Sequence, residues 1–426
     1  MRFQAFVAFL MICAAINTAS AAPGPQGVSG PEGFPGPEGF AQVLCKGLAT
    51  AVDAMAPSGQ PVFLASYRPG PGESEVPLAL RTSAFSYDNA LAAIALVACG
   101  DTARAGRIGD AFLHALASDR TFHDGRIRNA YRAGALSPDQ PMLLPGWWDK
   151  AAGHWAEDPY QDGTATGNVA WVALALLTLH DATGRAEDLA GVRDMLGWIA
   201  ANTRAPAGTG FSGGVDGFDP IQTRLTWAST EHNVDIAAAA RWYDRVSGDS
   251  SAFAGMAMSA RQFLDRAFLP AEGCFVLGTT PDGTLADAEH LAIDTQLWPL
   301  LLDDASPAWH VALDCADQRF AVDGGFDFDN DRDGLWVEGT AQGALTFRAR
   351  GLAARSVALL TGLRSELTAQ GWLYATRAPQ ISTGLKIGPH SKTADFFYYR
   401  RPHLGATAWA ALAAIGWNPF TGRRLQ

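Results

Sequence analysis

Six stretches of the chain open on a polar or acidic cluster and run at once into an apolar, helix-like pattern. They are Tyr87-Asp88-Asn89, Gly167-Asn168-Val169-Ala170-Trp171, Glu231-His232-Asn233-Val234-Asp235, Ile293-Asp294-Thr295-Gln296-Leu297-Trp298, Val337-Glu338-Gly339-Thr340-Ala341-Gln342 and Leu404-Gly405-Ala406-Thr407-Ala408-Trp409. Five of them carry a carboxylate at or just before the same place: Asp88, Asp162, Glu231 with Asp235, Asp294 and Glu338. Asp caps helices for purely local reasons, but Glu is a poor cap, so Glu231 and Glu338 need another account. Glu231 and Asp235 lie four apart, as do Glu338 and Gln342, which puts a polar stripe on one face of an otherwise apolar helix. Buried polar atoms must find partners, and a polar cavity would supply them.

Carboxylates facing each other across a cleft suit glycosidic bond cleavage. One holds its proton near neutral pH, and another stays ionised to activate water or attack carbon. Like charges and partial burial push two such groups apart in pKa. Glu231 is the candidate general acid, with Asp294, Glu338 or Asp88 as its base. Trp147, Trp148, Trp155, Tyr160, Trp227, Trp336, Tyr398 and Tyr399 fall in or beside the loops before these helices, where rings would stack on the apolar faces of a sugar. Asp162, Asn168, His232, Asn233, Gln296 and Gln342 would serve its polar edges. The run Asp327-Phe328-Asp329-Asn330-Asp331-Arg332-Asp333-Gly334 contains D-x-D-x-D-G, a pattern suited to a hard cation such as calcium on Asp329, Asp331 and Asp333. Counted from Asp329, position 12 is Thr340, not the Glu of an EF-hand. A structural calcium bracing the loop before Glu338 is the sole cofactor expected.

A helix apolar on every face is a buried helix, and six of them need a covering layer. Thr102–Leu116, Ala186–Asn202, Ser251–Phe268 and Leu352–Gln370 supply it, each with an amphipathic 3.6-residue period. The buried starts are 80, 64, 62, 44 and 67 residues apart, unlike the fixed period of a solenoid. Buried and amphipathic helices in alternation predict an all-α fold, an (α/α)6 barrel over residues 42–426, with short loop hairpins such as Thr279–Thr284. In such a barrel the inner helices point the same way, so their bare N–H groups and positive dipole ends converge on one rim and favour carboxylates there.

The remaining composition narrows the partners. The chain has 426 residues, 18% of them charged, with net charge −11, pI near 5.2 and mean hydropathy +0.01. Its largest basic groupings are pairs such as Arg400-Arg401 and Arg423-Arg424, which excludes a phosphate-neutralising footprint and hence nucleic acid. Arg2, the apolar run 3–16 and Ala19-Ser20-Ala21 read as a secretory leader over 1–21, and no later run is long enough to span a bilayer. A secreted or periplasmic protein is expected. Bulky Ile12 disfavours a lipidated Cys13. Residues 22–41 keep Gly at every third position from 24 to 39, too briefly for a triple helix, and read as an extended spacer. Cys45, Cys99, Cys274 and Cys315 match no zinc or redox spacing, and export permits one or two disulfides. A monomer is expected.

The motifs Tyr87-Asp88-Asn89-Ala90, Thr166-Gly167-Asn168-Val169-Ala170-Trp171, Ser229-Thr230-Glu231-His232-Asn233, Asp294-Thr295-Gln296-Leu297-Trp298 and Glu338-Gly339-Thr340-Ala341-Gln342 resemble those of the six-hairpin glycosidase superfamily, over residues 84–420. The resemblance implies a secreted carbohydrate-active enzyme without an organic cofactor, using a Glu acid and an Asp or Glu base in an inverting mechanism. A glycoside hydrolase acting on a polysaccharide or oligosaccharide is therefore expected. Two alternatives stand beside it. A polysaccharide lyase would set His232, Asn233, Tyr398 or Tyr399 and Arg400 against a uronate, on a rim more acidic than that chemistry favours. A non-catalytic polysaccharide-binding protein would keep the aromatics and tolerate loss of the acids.

Overall fold

The computed structural model describes residues 36–425 apart from 58, 138, 207 and 250; the leader and residues 22–35 of the spacer lie outside them. Among the described residues the helices run, in chain order, α1 (Gly36–Met55), α2 (Ser86–Ala98), α3 (Thr102–Ser118), the single turn α4 (Pro159–Asp162), α5 (Thr166–Thr183), α6 (Ala186–Asn202), α7 (Thr230–Val246), α8 (Ala254–Ala267), α9 (Ile293–Leu297), α10 (Ala312–Arg319), α11 (Val337–Ala349), α12 (Ala353–Leu363) and α13 (Leu404–Ile415). Helices α2, α5, α7, α9, α11 and α13 pack each on the next, and α13 returns to α2, closing an inner ring. The others, α4 aside, wrap it. This is the (α/α)6 barrel that the alternation of patterns predicts.

The local reasons are visible in single helices. From Val169 to Leu179 every residue of α5 is buried, as an inner helix requires. Outer α3 buries Ala105, Ile108, Gly109, Ala111, Phe112 and Ala115, one stripe at helical spacing. Residues 36–41, assigned to the spacer by their Gly/Pro content, instead form the first turn and a half of α1, with Phe40 and Ala41 buried. Helix α10, eight residues after a 3-10 turn at Pro307–Val311, is too short to show a period in sequence. Disulfides join Cys45 of α1 to Cys99 at the end of α2, and Cys274 to Cys315 of α10. No described helix is long and apolar enough to cross a membrane.

One device is repeated at the entrance of every inner helix. The first helical N–H donates to a carbonyl of an adjacent loop or hairpin: Ser86 to Asn129, Thr166 to Gly213, Thr230 to Leu277, Ile293 to Phe328, Val337 to Ala375 and Leu404 to Ser66. Each bond satisfies one of the donors that a helix start leaves bare. The last runs from the C-terminal helix to the N-terminal segment and seals the ring. At the fourth helical residue, Asn89, Asn233 and Gln296 clamp both the N–H and the C=O of Leu64, Phe211 and Phe275, while the Thr340 and Thr407 hydroxyls accept from Phe326 and Leu373. Those positions are spent on architecture. The second helical residues, Tyr87, Gly167, Glu231, Asp294, Glu338 and Gly405, are left to meet one another.

Candidate active site

Glu231, Asp294 and Glu338 are the second residues of three consecutive inner helices, α7, α9 and α11. The Asp294 carboxyl neighbours that of Glu231; burial, then the charges of Asp294 and Asp235, hold Glu231 well above the usual carboxylate range. Burial also lifts Asp294 to about 7, against the pull of Glu231 and of the Thr295 N–H that donates to its Oδ1 at 2.8 Å. Asp294 and Glu338 are 3% and 1% exposed, whereas Glu231 is half-buried and meets solvent.

Facing them, Glu338 belongs to a second group. The Tyr87 hydroxyl donates to Glu338 Oε1 at 2.6 Å and accepts from the Trp409 indole at 2.8 Å. His403 stands between two acids, Nε2 at 3.3 Å from Asp88 and Nδ1 at 3.6 Å from Glu338. Its ring stacks on Tyr67 at 4.5 Å. Burial works against a charged imidazole, yet the Asp88 and Glu338 charges outweigh it and raise His403 above its usual pKa. Glu338 itself rises to about 7 through burial, opposed by His403. Glycine permits close packing against these groups: a Cβ on Gly405 would sit 2.7 Å from Asp88 Oδ1 and 2.8 Å from Glu338 Oε2, and one on Gly167 would sit 2.4 Å from the His232 ring.

Half-buried side chains line the approach. His232, pushed down to about 4 by burial and so neutral, lies 5.7 Å from the Trp227 ring. The Asn168 amide donates to Asn129 at 2.8 Å. Trp336 is buried between Phe328 and Tyr398, with Tyr398 continuing the wall toward His403. Deeper, Asp235 and Gln342 are 1% and 0% exposed, and Asp235 Oδ1 and both Gln342 amide atoms have no partner.

Several expected site residues stand elsewhere. Asp162 is sealed among Arg120, Glu157 and Arg128, an ion network that includes none of the axial acids. Asn233 and Gln296 are fully buried backbone clamps, so neither can meet a ligand. Trp147 and Trp148 lie on the hairpin Trp147–Asp149 with His154–Ala156, Trp148 being 58% exposed, and no described interaction ties them to the axial acids. Strand alternation turns Tyr399 outward, under Arg401, while Tyr398 points in. In the acidic loop the converging carboxylates are Asp327, Asp331 and Asp333, with oxygens within 4.8 Å of one another; Asp329 turns toward His290 instead. Each of the three also accepts a backbone N–H. Tyr67, Tyr87 and His403 were missed, although aligning the six helix starts puts Tyr87 in register with Glu231, Asp294 and Glu338 and His403 just before α13.

The architecture defines an (α/α)6 barrel with acidic side chains gathered at the helix starts of its inner ring. No protein-family model and no curated protein matches the sequence. Solved structures similar to it include a glycosidase variant in complex with glucose, at 15% identity, covering 88% of this chain and 97% of that one with a TM-score of 0.56. A sugar epimerase from a ruminal bacterium aligns at 10% identity over 88% and 98%, TM-score 0.58. A GH76 α-mannanase of Bacteroides thetaiotaomicron aligns at 10% identity over 88% and 95%, TM-score 0.55. At these identities the likeness is one of fold, and it is the fold that the motifs imply.

Proposed function

We propose that the chain is an exported glycoside hydrolase that cleaves a polysaccharide or oligosaccharide by carboxylate acid/base catalysis with inversion. The observation that carries this is the split between two acid groups at one rim: Glu231 paired with Asp294, and Glu338 held by Tyr87 and His403. In the first, shared burial keeps a proton on Glu231, the state a general acid needs to protonate the leaving oxygen. In the second, the Tyr87 hydroxyl and His403, whose pKa the neighbouring acids raise, both favour ionised Glu338, the state a base needs to activate water. Helix α9 stands between the helices that bear Glu231 and Glu338, and an inverting pair requires its two carboxyls far enough apart to admit a water. The two disulfides support export. The fold's solved relatives, a glycosidase, a mannanase and a sugar epimerase, support a sugar ligand.

The lyase alternative loses a cation: Arg400 is bound at 2.6 Å to buried Glu366. Purified mature protein screened against a polysaccharide panel tests the proposal. Release of reducing ends, abolished by Glu231→Gln with the fold intact, is the expected result. Products absorbing in the ultraviolet would mark β-elimination instead, and near-parental turnover in Glu231→Gln would remove that residue from the mechanism.

A further inference from the structure

The hairpin of strands Trp147–Asp149 and His154–Ala156 follows the alternation of an extended ribbon: Trp147 is half-buried, while Trp148 and Trp155 turn outward. Trp148 and Trp155 are directly opposite each other in the ladder, so their indoles leave the same face of the ribbon from positions about 5 Å apart. They are 58% and 43% exposed. Single exposed apolar side chains are ordinary, but two indoles side by side on one ribbon face make a surface.

Trp155 is fixed in advance of any ligand. Its indole N–H donates to Glu157 Oε1 at 3.3 Å, the Arg132 guanidinium lies 4.9 Å from its ring, and a Cβ on Gly146 would sit 2.7 Å from its Cε2 and Nε1. A ring already held loses little freedom when something stacks on it. Charged groups gather at its edge: Arg120 donates two bonds of 2.7 Å to Glu157 and reaches Asp219 at 2.9 Å.

That mixture selects the ligand. A pyranose is apolar on its C–H faces and carries hydroxyls around its edge, so it needs a ring to lie on and hydrogen-bonding groups beside that ring. The hairpin supplies both. A protein partner needs more: the two indoles offer about 250 Å² between them, against roughly 800 Å² a side for a stable protein interface, and the Arg120 ion network interrupts the apolar surface beyond Trp155. Arg120 is already bound to Glu157 and Asp219, which favours a neutral sugar over a uronate. The hairpin also shares the rim of the acids. The Gly146 N–H donates to Thr82 Oγ1 at 3.3 Å, on the segment that leads through strand Ser83–Phe85 into α2. Half-buried Phe85 lies 6.5 Å from Tyr67, whose ring stacks on His403.

We infer that the Trp148–Trp155 face is a binding platform for a neutral polysaccharide, separate from the axial acids and holding a distant stretch of the chain that they cleave. The inference rests on the hydrolase reading and extends it from the bond cleaved to a polymeric substrate.

Native electrophoresis through gels containing mixed-linkage glucan, xylan, mannan or dextran tests it, with Glu231→Gln as the starting protein so that the polymer survives. At least one polymer should retard that protein. Adding Trp148→Ala or Trp155→Ala should weaken the apparent affinity about tenfold, and Trp148→Phe, which keeps a ring, should weaken it less. Trp148→Ala should melt with its starting protein, because the ring it removes is exposed. No retardation by any of the four polymers, or retardation unchanged in both alanine variants, overturns the inference and leaves the hydrolase reading to its own assay. A dimer in sedimentation equilibrium that Trp148→Ala dissociates overturns it too, since the face would then belong to a second copy. Retardation lost with the tryptophans, in a parent that cleaves nothing, would keep the platform and remove the hydrolase reading.

Discussion

Asp294→Asn should make the protein more stable at alkaline pH and less active there. Burial raises the Asp294 carboxyl from 3.8 to about 7, so the folded state binds its proton more tightly than the unfolded chain does. The stability that this proton contributes is complete below about pH 4 and is lost as pH rises through about 7. A shift of about 3 units corresponds to about 4 kcal/mol, of which about 3 kcal/mol disappears between pH 5 and pH 8. Asparagine does not ionise; its Oδ1 can still accept from Thr295 and its Nδ2 can donate to Glu231. The stability of the variant relative to parent should therefore grow by about 3 kcal/mol from pH 5 to pH 8, or about 3–4 °C in melting temperature for roughly 390 ordered residues. Melting curves of both proteins at the two pH values, read by near-ultraviolet circular dichroism, measure it. Without the Asp294 charge, Glu231 should lose its proton more easily, moving the alkaline limb of the pH–rate profile to lower pH. Parallel pH dependences of stability in parent and variant would refute the claim that Asp294 is a buried, proton-holding acid.

Other outcomes follow from the same geometry. Glu338→Gln should lower kcat by about 10²- to 10⁴-fold with little change in melting behaviour at pH 5, measured by initial rates on whichever panel substrate is cleaved. The parent's kcat/KM should fall as pH drops below about 7, where Glu338 takes up a proton, and a profile flat from pH 5 to 8 would remove Glu338 as base. His403→Gln, by deleting the imidazole 3.6 Å from Glu338 whose charged form favours an ionised carboxylate, should move that acidic limb upward by about one pH unit, which a purely structural role would not do. Replacing Cys45 and Cys99 together by Ser should cost about 2–4 kcal/mol in urea unfolding, and no loss would mean that α1 needs no tether to α2.

How much of this was legible in the sequence depends on the residue. The inner helices announced themselves because a helix such as α5 is apolar on every face. Glu231 and Glu338 stood out because capping does not explain a glutamate. The partners of those acids were harder to find: His403 comes just before its helix, and nothing local distinguishes it until the ring closes and sets it between Asp88 and Glu338. Asn233 and Gln296 look like ligand-binding amides in sequence, and their true work, clamping a neighbouring strand, appears once Phe211 and Phe275 are placed beside them. Asp162 failed for a related reason, since Arg120 and Arg128 lie more than thirty residues before it and claim its environment. Helix-start position separates the two kinds of residue: the second faces the axis and the fourth faces the adjoining hairpin.

The most direct measurement is the anomeric configuration of the first-formed product, followed by proton NMR during cleavage of a panel substrate before mutarotation sets in. A product anomer opposite to that of the bond cleaved is the expected result, since Glu231 would protonate the leaving oxygen while Glu338 activates a water on the opposite face of the sugar ring. Retention of configuration, or a folded parent that cleaves no member of the panel, would contradict it.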